Sequence, residues 1–246
     1  MKKIALIPAR LGATRFPSKL MANLGGKTVI RHTYDNTVKT GVFDEVMVVC
    51  DSEIIYNEIV NNGGKAVMSQ KEHECGTDRI AEAVAGRTDV DIVVNVQGDE
   101  PFTQKAPLEK LLQVFDGEAG KQVQVASLMQ ELKDWKAIED PNYVKVAVDK
   151  HFNALFFSRS VIPYPRDKQV RSVYYEHIGI YAFRRQTLLD FTQMPVSPLE
   201  AAEKIECLRY LENGIPLKMV VTEYMGVEID TPEDLLKAEQ FLQNIK

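Results

Sequence analysis

The sequence predicts an α/β fold in which a mainly parallel sheet is flanked by helices, and three observations carry that expectation. Short apolar runs recur without polar alternation: IALIP (4–8), VMVVC (46–50), KAVM (65–68) and DIVVNV (91–96). A strand with one wet face would alternate, so these read as buried on both faces, as strands of a parallel sheet are. Helical patterns separate the runs, and a glycine closes each of them, as suits the left-handed position just past a helix. Alternation of this kind implies right-handed crossovers over one sheet.

Along the chain, IALIP gives the first strand and the loop PARLGATRFPSK follows it. A helix is expected over Thr28–Lys39, closed by Gly41. After VMVVC comes a helix over Ser52–Asn62, with Ser52 as N-cap and Gly63 as closure. KAVM precedes a helix over Thr77–Ala85, with Thr77 as N-cap and Gly86 behind it. DIVVNV precedes a helix over Lys105–Phe115, closed by Gly117. From about Gln122 the rhythm changes. QVQVASLM, YVKVAVD, ALFFS and YEHIGIYAF read as strands with few helices between them, which predicts antiparallel pairing. IPYPRDKQVRS (162–172) is a polar loop, and a helical pattern returns over Pro198–Asn213. The strand PLKMVVTE and a last helix complete the chain, the helix opening at TPED with Thr231 as cap and Pro232 at its first position. The whole reads as one domain, 1–246, with a β-rich insertion over roughly 122–184.

Composition narrows the function. Hydrophobic content of 45% and charged content of 26% over 246 residues are ordinary for a globular chain with a full core. No apolar run approaches a membrane span, and the opening MKKIALIPAR lacks the pattern of a signal peptide, so a membrane role is not expected. Cys50, Cys75 and Cys207 are odd in number and widely spaced, which fits reduced thiols in a cytoplasm better than a disulfide frame or a zinc site. A net charge of −5 argues against nucleic acid as partner. An anionic small molecule remains compatible, because a local basic cluster sets the field inside a cleft.

Such a cluster opens the chain. Arg10, Arg15 and Lys19 lie within LIPARLGATRFPSKL, directly after the first strand. Ligands of open parallel sheets sit beyond the carboxyl ends of the strands. The segment Pro8-Ala9-Arg10-Leu11-Gly12-Ala13-Thr14 lies there, and its small residues let backbone N–H groups approach phosphates. Three cations on a generic surface loop need no ligand; their position after strand one favours an anion site. The loop has no G-x-G-x-x-G, so a dinucleotide fingerprint is missing. GGKT (25–28) mimics the end of a P-loop, but the first glycine of that motif would fall on Met21, and GGKT reads better as a turn into the next helix.

Several ordered motifs then carry a resemblance. IPARLGATRFPSK, ECGTDR (74–79), VNVQGDEP (94–101), FFSRSVIPYPR (156–166), EHIGIYAF (176–183), SPLEAAEKIECLR (197–209) and IDTPEDL (229–235) together resemble the sugar-acid cytidylyltransferases, nearly end to end. Among them the match is to the enzymes that use 3-deoxy-manno-octulosonate (Kdo). The resemblance implies a Rossmann-like, mixed sheet of the nucleotidyltransferase type, with a β-rich insertion that helps form a homodimer. It also implies a Mg²⁺-dependent transfer of CMP from CTP to the anomeric hydroxyl of Kdo, feeding lipopolysaccharide synthesis. Such catalysis is mostly positioning and charge neutralisation, a task that suits Arg10, Arg15 and Lys19.

The resemblance assigns roles residue by residue. Arg10, Lys19 and Asp99 are the implied catalytic groups, and Asp99 and Asp230 the implied metal ligands, in keeping with the one or two carboxylates that Mg²⁺ commonly takes. CTP would lie against Pro8, Ala9, Arg10, Leu11, Gly12, Arg15, Lys19, Gly76, Thr77, Arg79 and Gln97, with backbone N–H groups at Gly76–Arg79 reading cytosine. Kdo would lie against Gln97, Arg159, His177, Tyr181 and Glu206. Arg159 could bind its carboxylate through two parallel bonds, and His177 and Tyr181, four apart in a strand, would share a face. Blander roles stand beside these: Asp99 as a solvated turn residue, Asp230 as part of a helix start, Tyr181 as core, Glu206 as an exposed helical charge. The sequence departs from the family pattern at Cys75 and Asp78, where Ser and Glu are usual, at Cys207, where Gln is usual, and at Thr14, where Ser is common. The rival readings are a cytidylyltransferase for another sugar acid, a related sugar-phosphate nucleotidyltransferase, or a non-catalytic nucleotide sensor. The last would be expected to lose Lys19 or a metal aspartate, and the chain has all three.

Overall fold

The computed structural model of the chain describes residues 1–12, 16–73, 75–167, 169–170, 172–223 and 226–244. Arg15 and Thr14 therefore lie outside the described residues. The chain divides into two units, Met1–Leu108 with Met225–Lys246, and Glu109–Tyr224. The strand-rich segment expected over roughly 122–184 falls inside the second unit, which extends beyond it on both sides.

The first unit holds β1 (Lys3–Ala9), the short hairpin strands β2 (Asn23–Leu24) and β3 (Lys27–Thr28), α1 (Val29–Lys39), β4 (Glu45–Cys50), α2 (Glu53–Val60), β5 (Ala66–Met68), α3 (Gly76–Val84) and β6 (Ile92–Asn95). β1 pairs with β4 and with β6, and β4 pairs with β5, all in parallel, as the unbroken apolar runs predict. Ile4 to Ile7, Val48 to Cys50 and Ile92 to Val94 are almost wholly buried. Because every pairing is parallel, Ala9, Cys50, Met68 and Asn95 all finish at one edge, and the loops that follow them gather there.

Local chemistry sets the helices. Thr28 caps α1 by accepting the Arg31 N–H, and Ser52 caps α2 by accepting that of Ile54. Gly25 and Gly26, at φ 59° and 98°, make the turn between β2 and β3, so GGKT is the turn into α1 that its sequence suggests. Gly41, Gly63 and Gly117 are left-handed, with φ of 67°, 78° and 67°, whereas Gly86 is not. The expected cap of α3 needs correction. Cys75, not Thr77, is the N-cap: its backbone is extended and its Sγ accepts the Asp78 N–H at 3.5 Å. Thr77 is instead inside the first turn and buried.

α4 (Lys105–Gln113) runs from the end of the first unit into the second, which continues with α5 (Gly117–Gly120), β7 (Val125–Leu132), α6 (Trp135–Glu139), β8 (Lys145–Val148), β9 (Ala154–Ser158), β10 (Tyr174–Arg184), α7 (Arg185–Phe191), α8 (Pro198–Glu203), α9 (Leu208–Glu212) and β11 (Leu217–Val221). β10 pairs antiparallel with β7 and β8, and β8 with β9, as expected; β11 departs from the pattern by pairing with β7 in parallel. The single helix expected over Pro198–Asn213 is two. Lys204 turns left-handed at φ 55° and ends α8, and Ile205 and Cys207 bury themselves in the break before α9 begins. The last helix, α10 (Pro232–Asn244), returns to the first unit. Thr231 caps it as predicted, exchanging backbone-to-side-chain bonds with Asp234.

Candidate active site

The carboxyl edge of the first unit carries a cleft of about 320 Å³, lined by Pro8, Ala9, Arg10, Phe16, Lys19, Leu20, His73, Cys75, Gly76, Arg79, Gln97, Gly98, Asp99, Glu228 and Asp230. Each wall comes from a loop that the parallel sheet delivers to that edge. The end of β1 supplies Pro8 to Arg10, and the turn after β6 supplies Gln97 to Asp99. The start of α3 supplies Cys75 and Gly76. Two glycines let these segments close up: a Cβ on Gly98 would sit 3.0 Å from the Pro8 carbonyl oxygen, and one on Gly76 would sit 3.1 Å from Pro8 Cγ.

The fourth segment comes from far along the chain. The Ile229 N–H donates to the Asp99 carbonyl at 3.0 Å, and this one backbone bond sets Asp230 beside Asp99. Lys19, in a short 3₁₀ turn, places its ammonium 2.5 Å from Asp99 Oδ2 and 2.7 Å from Asp230 Oδ1. Burial pulls the Lys19 pKa down, but the charges and hydrogen bonds of Asp99 and Asp230 outweigh it, and the net shift is upward. Lys19 is therefore an ammonium across the neutral range.

Asp99, Glu228 and Asp230 each bring an oxygen within 4.8 Å of the others. Hard carboxylate oxygens so disposed, two of them already holding a positive charge, fit a divalent cation such as Mg²⁺. Asp99 and Asp230 were legible from the sequence. Glu228, two residues before Asp230, was not.

Of the residues expected to hold the nucleotide, Pro8, Ala9, Arg10, Lys19, Gly76, Arg79 and Gln97 line the cleft. Leu11 faces another task, its N–H donating to Asp51 Oδ1 at 3.0 Å. Gly12 and Thr77 do not line the cleft. Arg79 is almost fully buried, with its guanidinium on Ser69 Oγ at 2.8 Å and Asp51 Oδ2 at 3.1 Å. Sequence reasoning also passed over His73, whose Nε2 lies 2.7 Å from Glu82 Oε2, while Glu82 Oε1 takes the Gln70 N–H at 2.7 Å. This pair ties the loop before α3 to the second turn of the helix.

The other expected sugar-acid residues belong to the second unit. His177 and Tyr181 do share a face, with ring centroids 5.3 Å apart. Burial pushes His177 down to about 4, so its imidazole is neutral at pH 7, and Ser127 Oγ lies 3.0 Å from its Nε2. Burial also raises the Tyr181 pKa well above the ordinary phenol range, helped by the nearby Cys207 and the charge of Glu206. Glu206 sits in the break between α8 and α9 rather than on a helix, half-buried near that phenol. Arg159 is anchored just upstream of Glu206: its Nε donates to the Glu203 carbonyl at 2.8 Å, Nη1 to Pro141 at 2.9 Å and Nη2 to Lys204 at 3.4 Å. A guanidinium has five N–H groups, so two remain for an incoming carboxylate.

Known proteins give this geometry its relatives. The profile of a family described as Cytidylyltransferase matches residues 4–244. A 3-deoxy-manno-octulosonate cytidylyltransferase of Flavobacterium johnsoniae is 60% identical over 245 residues, covering all of both chains. One of Christiangramia forsetii is 58% identical over 97% of this chain and 96% of its own. Among solved structures, a CMP:2-keto-3-deoxy-manno-octonic acid synthetase complexed with CTP superposes over the full length of both chains at a TM-score of 0.94 and 36% identity. A parallel-sheet edge with a basic loop and converging carboxylates, and likeness from end to end, lead to one conclusion: the chain belongs to the cytidylyltransferase family.

Proposed function

We propose that the chain transfers CMP from CTP to the anomeric hydroxyl of Kdo, releasing pyrophosphate, and so serves lipopolysaccharide synthesis. The observation that carries this reading is the convergence of Lys19, Asp99 and Asp230 in the cleft beside the opening loop. It is supported by the two highly identical relatives, each named for this activity.

In the reaction, the oxygen of the sugar hydroxyl forms a bond to the α-phosphorus and gives up its proton to solvent, as the α–β phosphoanhydride bond breaks and pyrophosphate leaves. Charge gathers on the phosphate oxygens and on the departing pyrophosphate. Arg10 and Lys19 oppose that charge from the cleft wall, and the small residues at Ala9 and Gly76 let backbone N–H groups come close to the nucleotide. Asp99 and Asp230, with Glu228 alongside, would hold Mg²⁺, which supplies further neutralisation of the phosphates when bound. The start of α3 reads the base. Neutral His177, the un-ionised phenol of Tyr181 and the carboxylate of Glu206 offer the mixed donors and acceptors that sugar hydroxyls require, and Arg159 offers its two remaining N–H groups to the sugar carboxylate.

The reading includes a cytoplasmic homodimer. Support for the location comes from Cys50, Cys75 and Cys207, which are all free thiols. No helix is long and apolar enough to cross a membrane among the described residues. Support for the dimer comes from large apolar side chains exposed on the second unit, Leu155, Tyr164, Val170 and Val173 among them.

The deciding experiment measures pyrophosphate release from CTP and Mg²⁺ across a panel of sugar acids. Release with Kdo, and much less with hexose phosphates or sialic acid, is expected. Release that favours another acceptor would replace Kdo in this reading.

A further inference from the structure

Asp51 has no part in the chemistry described above, yet its two oxygens join the two arms of the nucleotide cleft. It follows directly on β4, at the same carboxyl edge where β1 and β6 end. Oδ1 accepts the backbone N–H of Leu11, the residue after Arg10 in the opening loop, at 3.0 Å. Oδ2 accepts from Arg79 Nη2 at 3.1 Å, and Arg79 belongs to α3, whose first residue, Gly76, lines the cleft. Arg79 is itself fixed: it is 4% exposed and its other terminal nitrogen is on Ser69 Oγ at 2.8 Å. One carboxylate thus takes a charge-assisted bond from the base-side helix and a backbone bond from the phosphate-side loop. The side chain does not line the cleft, so its action passes through Leu11 and Arg79.

We infer that Asp51 is a positioning residue that fixes the phosphate loop and the base-reading helix at one spacing, so that a nucleoside triphosphate meets both at once. The inference rests on the proposed seat of CTP across the opening loop and α3. Holding two subsites in register cuts the ordering cost for a ligand that spans both, and offers no such advantage to a ligand that fills only one. That asymmetry separates coupling from ordinary local support. A side chain that merely stabilised the fold would leave native-state affinities alone, and one that shaped a single subsite would weaken that subsite's fragment as much as the whole nucleotide.

The experiment is calorimetric titration of the full chain with CTP, cytidine and inorganic tripolyphosphate, each with Mg²⁺, well below the unfolding temperature. Asp51→Ala is expected to weaken CTP binding by about tenfold to a hundredfold, the scale of losing a charge-assisted bond and its partner. Cytidine and tripolyphosphate are expected to weaken by less than about threefold each. Asp51→Asn, which keeps shape and an acceptor for Leu11 but drops the charge facing Arg79, should fall between Asp51→Ala and the parent. If the alanine variant does not fold, the near-isosteric asparagine carries the same comparison. CTP affinity within about twofold of the parent in the folded variants overturns the inference, as does a loss for either fragment equal to that for CTP. Failure of the parent itself to bind CTP would overturn the seat assigned to the nucleotide, a result distinct from parent binding that the Asp51 variants leave unchanged.

Discussion

Lys19 meets two requirements with one ammonium. It neutralises Asp99 and Asp230, and it stands on the cleft wall where phosphate charge would develop. Lys19→Ala should lower kcat and kcat/KM together by about 10²–10³, because charge matters most as the transition state forms; steady-state kinetics in CTP check this, and a change confined to KM would point to simple binding. Asp230→Asn keeps the shape of the side chain and removes a hard anionic donor. Turnover should fall by on the order of 100-fold and the Mg²⁺ needed for half-maximal rate should rise. A metal titration of rate, with circular dichroism to confirm the fold, reads both. Near-normal turnover at limiting Mg²⁺ would return Asp230 to the role of a helix-start residue. Arg159 carries a sharper test, since three of its donors already hold backbone carbonyls. Arg159→Ala should raise KM for Kdo by roughly 30-fold or more and leave that for CTP nearly unchanged. Lysine should not rescue it, because one ammonium cannot reproduce the planar fork.

At the scale of elements, the pattern over Pro198–Asn213 shows how local periodicity can mislead. The residues are good helix formers, but α8 ends at a left-handed Lys204 and α9 starts again four residues later. A buried ion pair holds the two pieces: Arg209 Nε and Nη2 reach Glu200 at 2.7 and 2.5 Å, and the guanidinium lies over the Phe191 ring, 4.2 Å from its centroid. Breaking one side of such a pair leaves an uncompensated buried charge. Arg209→Ala should cost about 3–5 kcal/mol of stability, measurable as a lower denaturant midpoint. Because this break sets Glu206 near Tyr181, KM for Kdo should rise as well in the folded fraction. The first turn of α3 teaches a similar lesson. Cys75 caps it through sulfur, a weak acceptor, so the serine usual in the family is a stronger cap for the same geometry.

For the whole molecule, acid should act through His177. Its ordinary value is 6.5 and burial in the folded chain takes it to about 4. Between those values the unfolded chain binds a proton that the folded chain refuses. The contribution to stability is therefore complete above pH 6.5 and is lost as pH falls toward 4, an effect of about 3 kcal/mol. Glu176 beside it, pushed up by burial, works in the opposite direction, so the comparison with His177→Gln isolates the histidine. Denaturation midpoints from pH 7 to 4 should fall less steeply in that variant; equal slopes would place the acid sensitivity elsewhere.

Asp230 was offered by the family resemblance; the sequence by itself determined the parallel sheet, the basic loop after its first strand, the cap of the last helix and the place of Asp99. Each is written in local terms: a period, a capping residue, a charge at a strand end. Only the tertiary structure decided what meets what. Asp99 and Asp230 are brought together by the bond from Ile229 N–H to the Asp99 carbonyl, and Lys19 reaches both across separations of 80 and 211 residues. Glu228, Asp51 and the His73–Glu82 pair carry no periodic signal, since an acidic side chain in a loop looks alike whether it faces water or a partner. The order β6-β1-β4-β5, which gathers the loops after β1, β4 and β6 at one edge, gives those residues their partners. Strand order is a global choice among pairings that local patterns leave equally good, and burial of the whole sheet, summed over every strand, selects it.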